Sequence, residues 1–158
     1  MIATLIVLVA AAAGLLLAGR AGLFAGRAPA DLGVRDGRLK PPSATDNSVS
    51  SQAGLYKGEA AVRATIDPFR YRGPAGDALA RIRRVIESLP RTRVIEQRAD
   101  YLYAQFTTRW LGFVDDVEFY APDSGKVIHV RSASRLGSKD YGVNRLRIES
   151  IRQLFEVA

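Results

Sequence analysis

Three carboxylates in four positions, Asp115, Asp116 and Glu118, precede a lone histidine, His129, and two serines, Ser132 and Ser134. These are the residue types of a carboxylate cation site or of a Ser-His-Asp triad. Both stretches, 113–120 and 126–134, are rich in β-branched and aromatic residues, and a strand sends successive side chains to opposite faces. Asp115 then points away from Asp116 and Glu118, so one ion cannot use all three. His129 points away from Ser132 and Ser134, so no triad forms. The absence of cysteine removes thiolate nucleophiles, disulfides and Cys-ligated zinc or iron-sulfur sites, and a single histidine makes no imidazole cluster. No catalytic residue, metal site or cofactor is assigned on this basis.

A tight connection at 122–125 pairs Ala121 with Lys126. It sets Glu118 opposite His129, Asp116 opposite Arg131 and Asp115 opposite Ser132. One face of this hairpin carries Val117, Phe119, Ile128 and Val130, and the other, read as exposed to solvent, carries the charge-complementary pairs. Asp115, Ser132 and Ser134 fall on the apolar side, where an unpaired carboxylate is costly. In a closing helix, 100° per residue brings Asn144 and Arg147 onto the side of Val143, Ile151 and Leu154. Asp115, Ser132, Ser134, Asn144 and Arg147 are therefore expected to meet between helix and sheet, below the loop 138–142. Such a cluster reads either as a buried brace or as a pocket for a polar or anionic ligand, since Arg with hydroxyls and an amide suits a carboxylate or phosphate. Lone His129 reads as a cross-strand partner of Glu118. Trp110 with Tyr101 and Tyr103 reads as packing.

The elements that must position these residues follow from periodicity. Ala60 to Asp67 alternates apolar and polar and predicts a strand ended by Pro68. Leu79, Ile82, Val85, Ile86 and Leu89 recur at helical spacing behind a candidate cap, Asp77, and predict an amphipathic helix stopped by Pro90. Four β-rich runs follow at 93–97, 101–110, 113–120 and 126–134, joined by short links. A helix over about 142–157 is capped by Asp140. The order β-α-β-β-β-β-α predicts an α+β domain, residues 55–158, with two helices on one face of a five-stranded, mainly antiparallel sheet.

Ahead of it, residues 2–18 carry no charge and span about 26 Å as a helix, close to a ~30 Å hydrocarbon core. Residues 1–27 read as a membrane anchor or signal segment, with a retained anchor through residues 2–19 favoured because no Lys or Arg precedes the apolar run. Three prolines, Pro29, Pro41 and Pro42, with a Ser, Thr, Asp and Asn run make 28–54 a linker. The net charge of +7 invites a nucleic-acid reading. Its 19 arginines and 4 lysines are scattered, however, and the densest run, Arg81, Arg83 and Arg84, has Glu87 beside it, which argues against nucleic acid.

The blocks Asn47-Ser48-Val49-Ser50-Ser51-Gln52, Gly112 to Phe119, and Arg131 to Gly137 with Asp140, Gly142, Asn144, Arg145 and Arg147 resemble the bacterial and plant-plastid family catalogued as domain of unknown function 1499. The resemblance covers about residues 39–158 and implies no established activity. Its members often carry two cysteines where this chain has Pro42 and Ser48. Their joint loss suits a disulfide pair and implies an oxidising, periplasmic side, against the positive-inside count of Arg20, Arg27, Arg35, Arg38 and Lys40. With Arg131, Arg135 and Asp140 of the last block added, the candidate ligand-binding set is Asp115, Arg131, Ser132, Ser134, Arg135, Asp140, Asn144 and Arg147. The expected function is a membrane-tethered, non-catalytic envelope module that binds a small polar or anionic ligand or a protein partner. The alternatives are a hydrolase-like enzyme using Asp115 and Arg147, and a purely structural envelope protein.

Overall fold

The computed structural model describes residues 1–157. A 19-residue helix, α1 (Ile2–Arg20), is apolar along its length and exposed on nearly all sides. After it come β1 (Ser48–Ser50), a 3₁₀ turn (Ala53–Leu55), α2 (Glu59–Ala64), β2 (Phe69–Arg70) and α3 (Ala75–Ser88). The strands β3 (Thr92–Gln97), β4 (Tyr101–Thr107), β5 (Val114–Tyr120) and β6 (Val127–Ser134) follow, and α4 (Val143–Val157) closes the chain. The sheet has the order β1-β6-β5-β4-β3, with β2 paired to β6, and every pairing is antiparallel. The expected meander of four sequential strands and the α+β class are both present.

One core lies between α3, α4 and a sheet face. Leu79, Ile82, Val85 and Ile86 of α3 and Ile148, Ile151 and Phe155 of α4 pack on Leu102, Ala104, Val117, Phe119, Ile128 and Val130. The inward stripe of α4 runs through Asn144, Ile148, Ile151 and Phe155. Val143 and Leu154, expected inside, lie at its rim, 44% and 38% exposed. Pro74, not Asp77, occupies the N-cap of α3; Asp77 stands in its first turn, where it complements the helix dipole.

The strand expected at 60–67 is the helix α2. Ala60, Ala61 and Ala64 are strong helix formers, and Glu59 and Arg63 pair at i,i+4, 3.2 Å apart. Val62, which the alternating pattern would bury, is 75% exposed. The outer strand comes instead from Ser48–Ser50, inside the stretch read as a linker.

That stretch is packed, not extended. Leu32, Val34 and Leu39 cover Tyr101, Tyr103 and Tyr120 on the sheet face opposite the helices. The side-chain amide of Gln52 clamps the covering segment, accepting from Leu39 N–H (2.8 Å) and donating to the Gly37 carbonyl (3.0 Å). The central strands β4, β5 and β6 are therefore buried on both faces, and polar groups on the second face must be paired there.

Candidate functional site

The β5–β6 register pairs Asp115 with Ser134, Asp116 with Ala133, Glu118 with Arg131 and Tyr120 with His129. This is a slip of two residues from the expected pairing. A slip of two keeps every side chain on its predicted face and changes every partner. Glu118 thus faces Arg131 and not His129, and Asp116 does not oppose Arg131.

On the helix side the expected five residues meet. The Arg147 guanidinium pairs with the Asp115 carboxylate through Nη2 and donates through Nη1 to Asn144 Oδ1 (2.7 Å) and Ser132 Oγ (3.2 Å). Its plane lies over the Phe106 ring, 5.0 Å from the centroid. Ser132 Oγ donates to Asn144 Oδ1, and Asn144 Nδ2 reaches Ser134 Oγ (3.0 Å), the Asn47 carbonyl (3.1 Å) and Asp140 Oδ2 (2.8 Å). Asp140 accepts the backbone N–H groups of Gly142 and Asn144, tying the loop to the start of α4 as a cap does. Burial pushes its carboxyl up, but the Asn144 and Gly142 N–H groups and the Asn144 amide outweigh that and hold it below the usual range. Asn144 and Ser132 are fully buried and Asp115 is 3% exposed.

Arg131 and Arg135, the other members of the candidate set, project from the opposite face and do not join this cluster. Arg135 grips Asp116 as a fork, Nε to Oδ2 at 2.9 Å and Nη2 to Oδ1 at 2.7 Å, and Tyr103 donates to the same carboxylate at 2.5 Å. The Asp116 carboxylate raises the Arg135 guanidinium above its ordinary value. Glu118 accepts from Gly33 N–H (2.7 Å) and Tyr101 Oη (2.9 Å), and Arg131 stands 3.6 Å from it. Burial raises the Glu118 carboxyl; the Gly33 N–H, Arg131 and Tyr101 oppose this without cancelling it. Burial likewise lowers Arg131, with Glu118 opposing. Desolvation, reinforced by the carboxylate each one donates to, raises both tyrosines. The expected wet charged face is thus a second buried network.

Four participants were not singled out by residue type and spacing. Asn47 bonds the Gly137 carbonyl (2.6 Å) and receives Asn144, joining β1 to the loop; its only signal lay in the block that resembles the family. Gly33 and Pro41 partner the second network, Pro41 through its carbonyl to Arg131 Nε at 3.2 Å, and their stretch read as a linker. Ser51 Oγ lies 3.2 Å from His129 Nδ1 and accepts from Val130 N–H. Among the described residues no carboxylate bonds the His129 ring, and burial lowers its pKa. Trp110, read as packing, is 61% exposed.

Two cavities flank the loop 138–142. One, about 310 Å³, is lined by Asp46, Arg63, Lys139, Asp140 and Arg145 among others. Its arginines are engaged, Arg63 with Asp46 and Glu59, and Arg145 with the carbonyls of Arg63 and Thr65. The other, about 340 Å³, has apolar walls of Phe113, Val114, Leu136 and Val143, with Asp115, Ser134, Lys139 and Asp140 among its polar lining. Among the described residues no three of His, Asp and Glu converge as metal ligands.

Fold and site together define a two-faced α+β domain behind one apolar helix, with its buried charge concentrated on a single β-hairpin. The chain belongs to the family described as protein of unknown function (DUF1499), whose model matches residues 38–155. No curated protein matches it.

Proposed function

We propose that the protein is a membrane-tethered, non-catalytic module of the cell envelope. On this reading it holds a small polar or anionic molecule bearing an apolar portion in the cavity beside the loop 138–142. The observation that carries this is the cavity's two-part lining. Phe113, Leu136 and Val143 offer apolar wall, and the exposed cation Lys139 stands with Ser134 and the rim of the Asp115 network. Its size falls in the range of small-molecule sites. The Asp115, Ser132, Asn144 and Arg147 groups are spent on one another, so they serve as a rigid floor and supply no free nucleophile or base. The placement of Ser132 and His129 on opposite faces speaks against a triad.

Tethering is supported by α1, whose 19 residues reach about 28 Å. A periplasmic position is supported by Pro42 and Ser48. Ser43 N–H bonds Ser48 Oγ at 2.8 Å, bringing together the two segments in which relatives carry cysteines.

Native mass spectrometry of the full chain extracted from its own membrane should show a retained small molecule. Leu136→Trp, which fills the cavity, should abolish the adduct and leave the fold intact. Preparations without an adduct would favour the purely structural reading, and an adduct that survives Leu136→Trp would place the ligand elsewhere.

A further inference from the structure

The helix α1 does not hand over to a free chain. A Cβ at Gly19 would fall 2.7 Å from the Leu111 carbonyl oxygen, and one at Gly112, where φ is +66°, would fall 2.6 Å from the Gly19 oxygen. Only glycine permits this approach of backbone to backbone at either position. Beyond it, Phe24 meets Phe113 at 5.7 Å between ring centroids, and Gly26 lies against the Arg135 Cβ and Leu136. The end of α1 is therefore fastened to the β4–β5 turn, residues 108–113.

From that turn Trp110 projects into solvent, with the Arg109 guanidinium 4.7 Å from its ring centroid. Leu23, on the other side of the joint, is 69% exposed. Residues 18–27 and 108–113 carry Arg20, Arg27 and Arg109 and no carboxylate. An exposed tryptophan among arginines, at the level where an apolar helix ends, matches the composition of a membrane interface.

We propose that this face rests on the headgroup layer of an anionic phospholipid membrane, Trp110 lying in the interface and the three arginines on lipid phosphates. The inference rests on the reading of α1 as a retained membrane helix. The joint at Gly19 and Gly112 then fixes the domain in one orientation on the bilayer. It also sets the cavity that shares Phe113 and Leu136 with the joint at headgroup level, open to molecules that partition into lipid.

Trp110 is the only tryptophan, so its fluorescence reports this face directly. The full chain should be reconstituted into phosphatidylcholine vesicles containing phosphatidylglycerol, with acyl chains brominated near the headgroup or near the chain end. The protein should float with the vesicles. Trp110 emission should shift to the blue and be quenched more by the shallow bromines than by the deep ones. Floating protein with red, unquenched emission would overturn the proposal and leave the anchor standing. Protein that fails to float would overturn the anchor, and the proposal with it. Gly19→Val should still float yet lose the quenching, and quenching unchanged in that variant would refute the fixed joint. Omitting phosphatidylglycerol should weaken quenching, and equal quenching would refute the arginine contacts.

Discussion

Asp115→Ala removes the one carboxylate paired with Arg147, and the structure fixes what is left behind. The Arg147 side chain is 12% exposed, lies over Phe106 and keeps two neutral acceptors, Asn144 Oδ1 and Ser132 Oγ. A buried pair broken on one side costs about 3 to 5 kcal/mol because the surviving charge has no counterpart. The two retained hydrogen bonds and the partly open rim put Asp115→Ala at about 3 kcal/mol. The reverse variant, Arg147→Met, strands a carboxylate whose side chain is only 4% exposed and should lie toward about 5 kcal/mol. Either is a large share of a domain stability of about 5 to 15 kcal/mol. The double variant Asp115→Leu/Arg147→Met should recover most of the loss, since an apolar pair of similar volume needs no charge balance. Urea denaturation of the full chain in detergent, followed by far-ultraviolet circular dichroism, measures all three. A soluble fragment used in its place must retain residues 28–54, because they cover the sheet. A wild-type midpoint for Asp115→Ala, or a double variant no better than Arg147→Met, would refute the brace.

Asp116→Ala, which a solvent-facing position would make nearly neutral, should also cost about 3 to 5 kcal/mol in the same urea experiment, because Arg135 and Asp116 form a fork with side chains 7% and 2% exposed. Arg131→Met should leave Glu118 buried and unpaired and be strongly destabilising. Glu118→Gln/Arg131→Met should recover part of that loss, as Gln carries no charge and keeps an acceptor for Gly33 N–H and Tyr101 Oη, and a thermodynamic cycle without coupling would contradict this. Asp140→Ala should cost about 1 kcal/mol as a lost cap. Because the Asp140 pKa is lowered in the fold, its contribution is present above the ordinary value of 3.8 and is lost as pH falls through the folded value. Acid titration of wild type and variant should therefore converge below that range. An exported phosphatase fused to the C-terminus should be active, and activity only of a cytoplasmic reporter would overturn the proposed periplasmic side.

What was legible in the sequence was parity, and what was not was company. Alternation placed Asp115, Ser132 and Ser134 on the helix side and Asp116, Glu118 and Arg131 on the other, and helical spacing turned Asn144 and Arg147 inward, so the cluster assembled as expected. The two-residue slip came from beyond the hairpin. Ala121 N–H bonds the Asp100 carbonyl, and Val127 and Ile128 pair with β2, so the β5–β6 connection is longer than Pro122 to Gly125 suggested. The same blindness to distant partners hid the role of residues 28–54. Their prolines and small polar residues resemble a tether by composition, while Leu32, Val34 and Leu39 act only through tyrosines more than 60 positions away. Alternation in an antiparallel sheet is read as one dry face and one wet face. Yet Asp116, Glu118 and Arg131 on the face assigned to water, against Asp115 alone among charged β5 and β6 side chains on the apolar one, is a pattern that either solvent or a covering segment satisfies. The choice between them decides whether those charges are cheap or costly to disturb, and the urea midpoint of Asp116→Ala reads that choice directly.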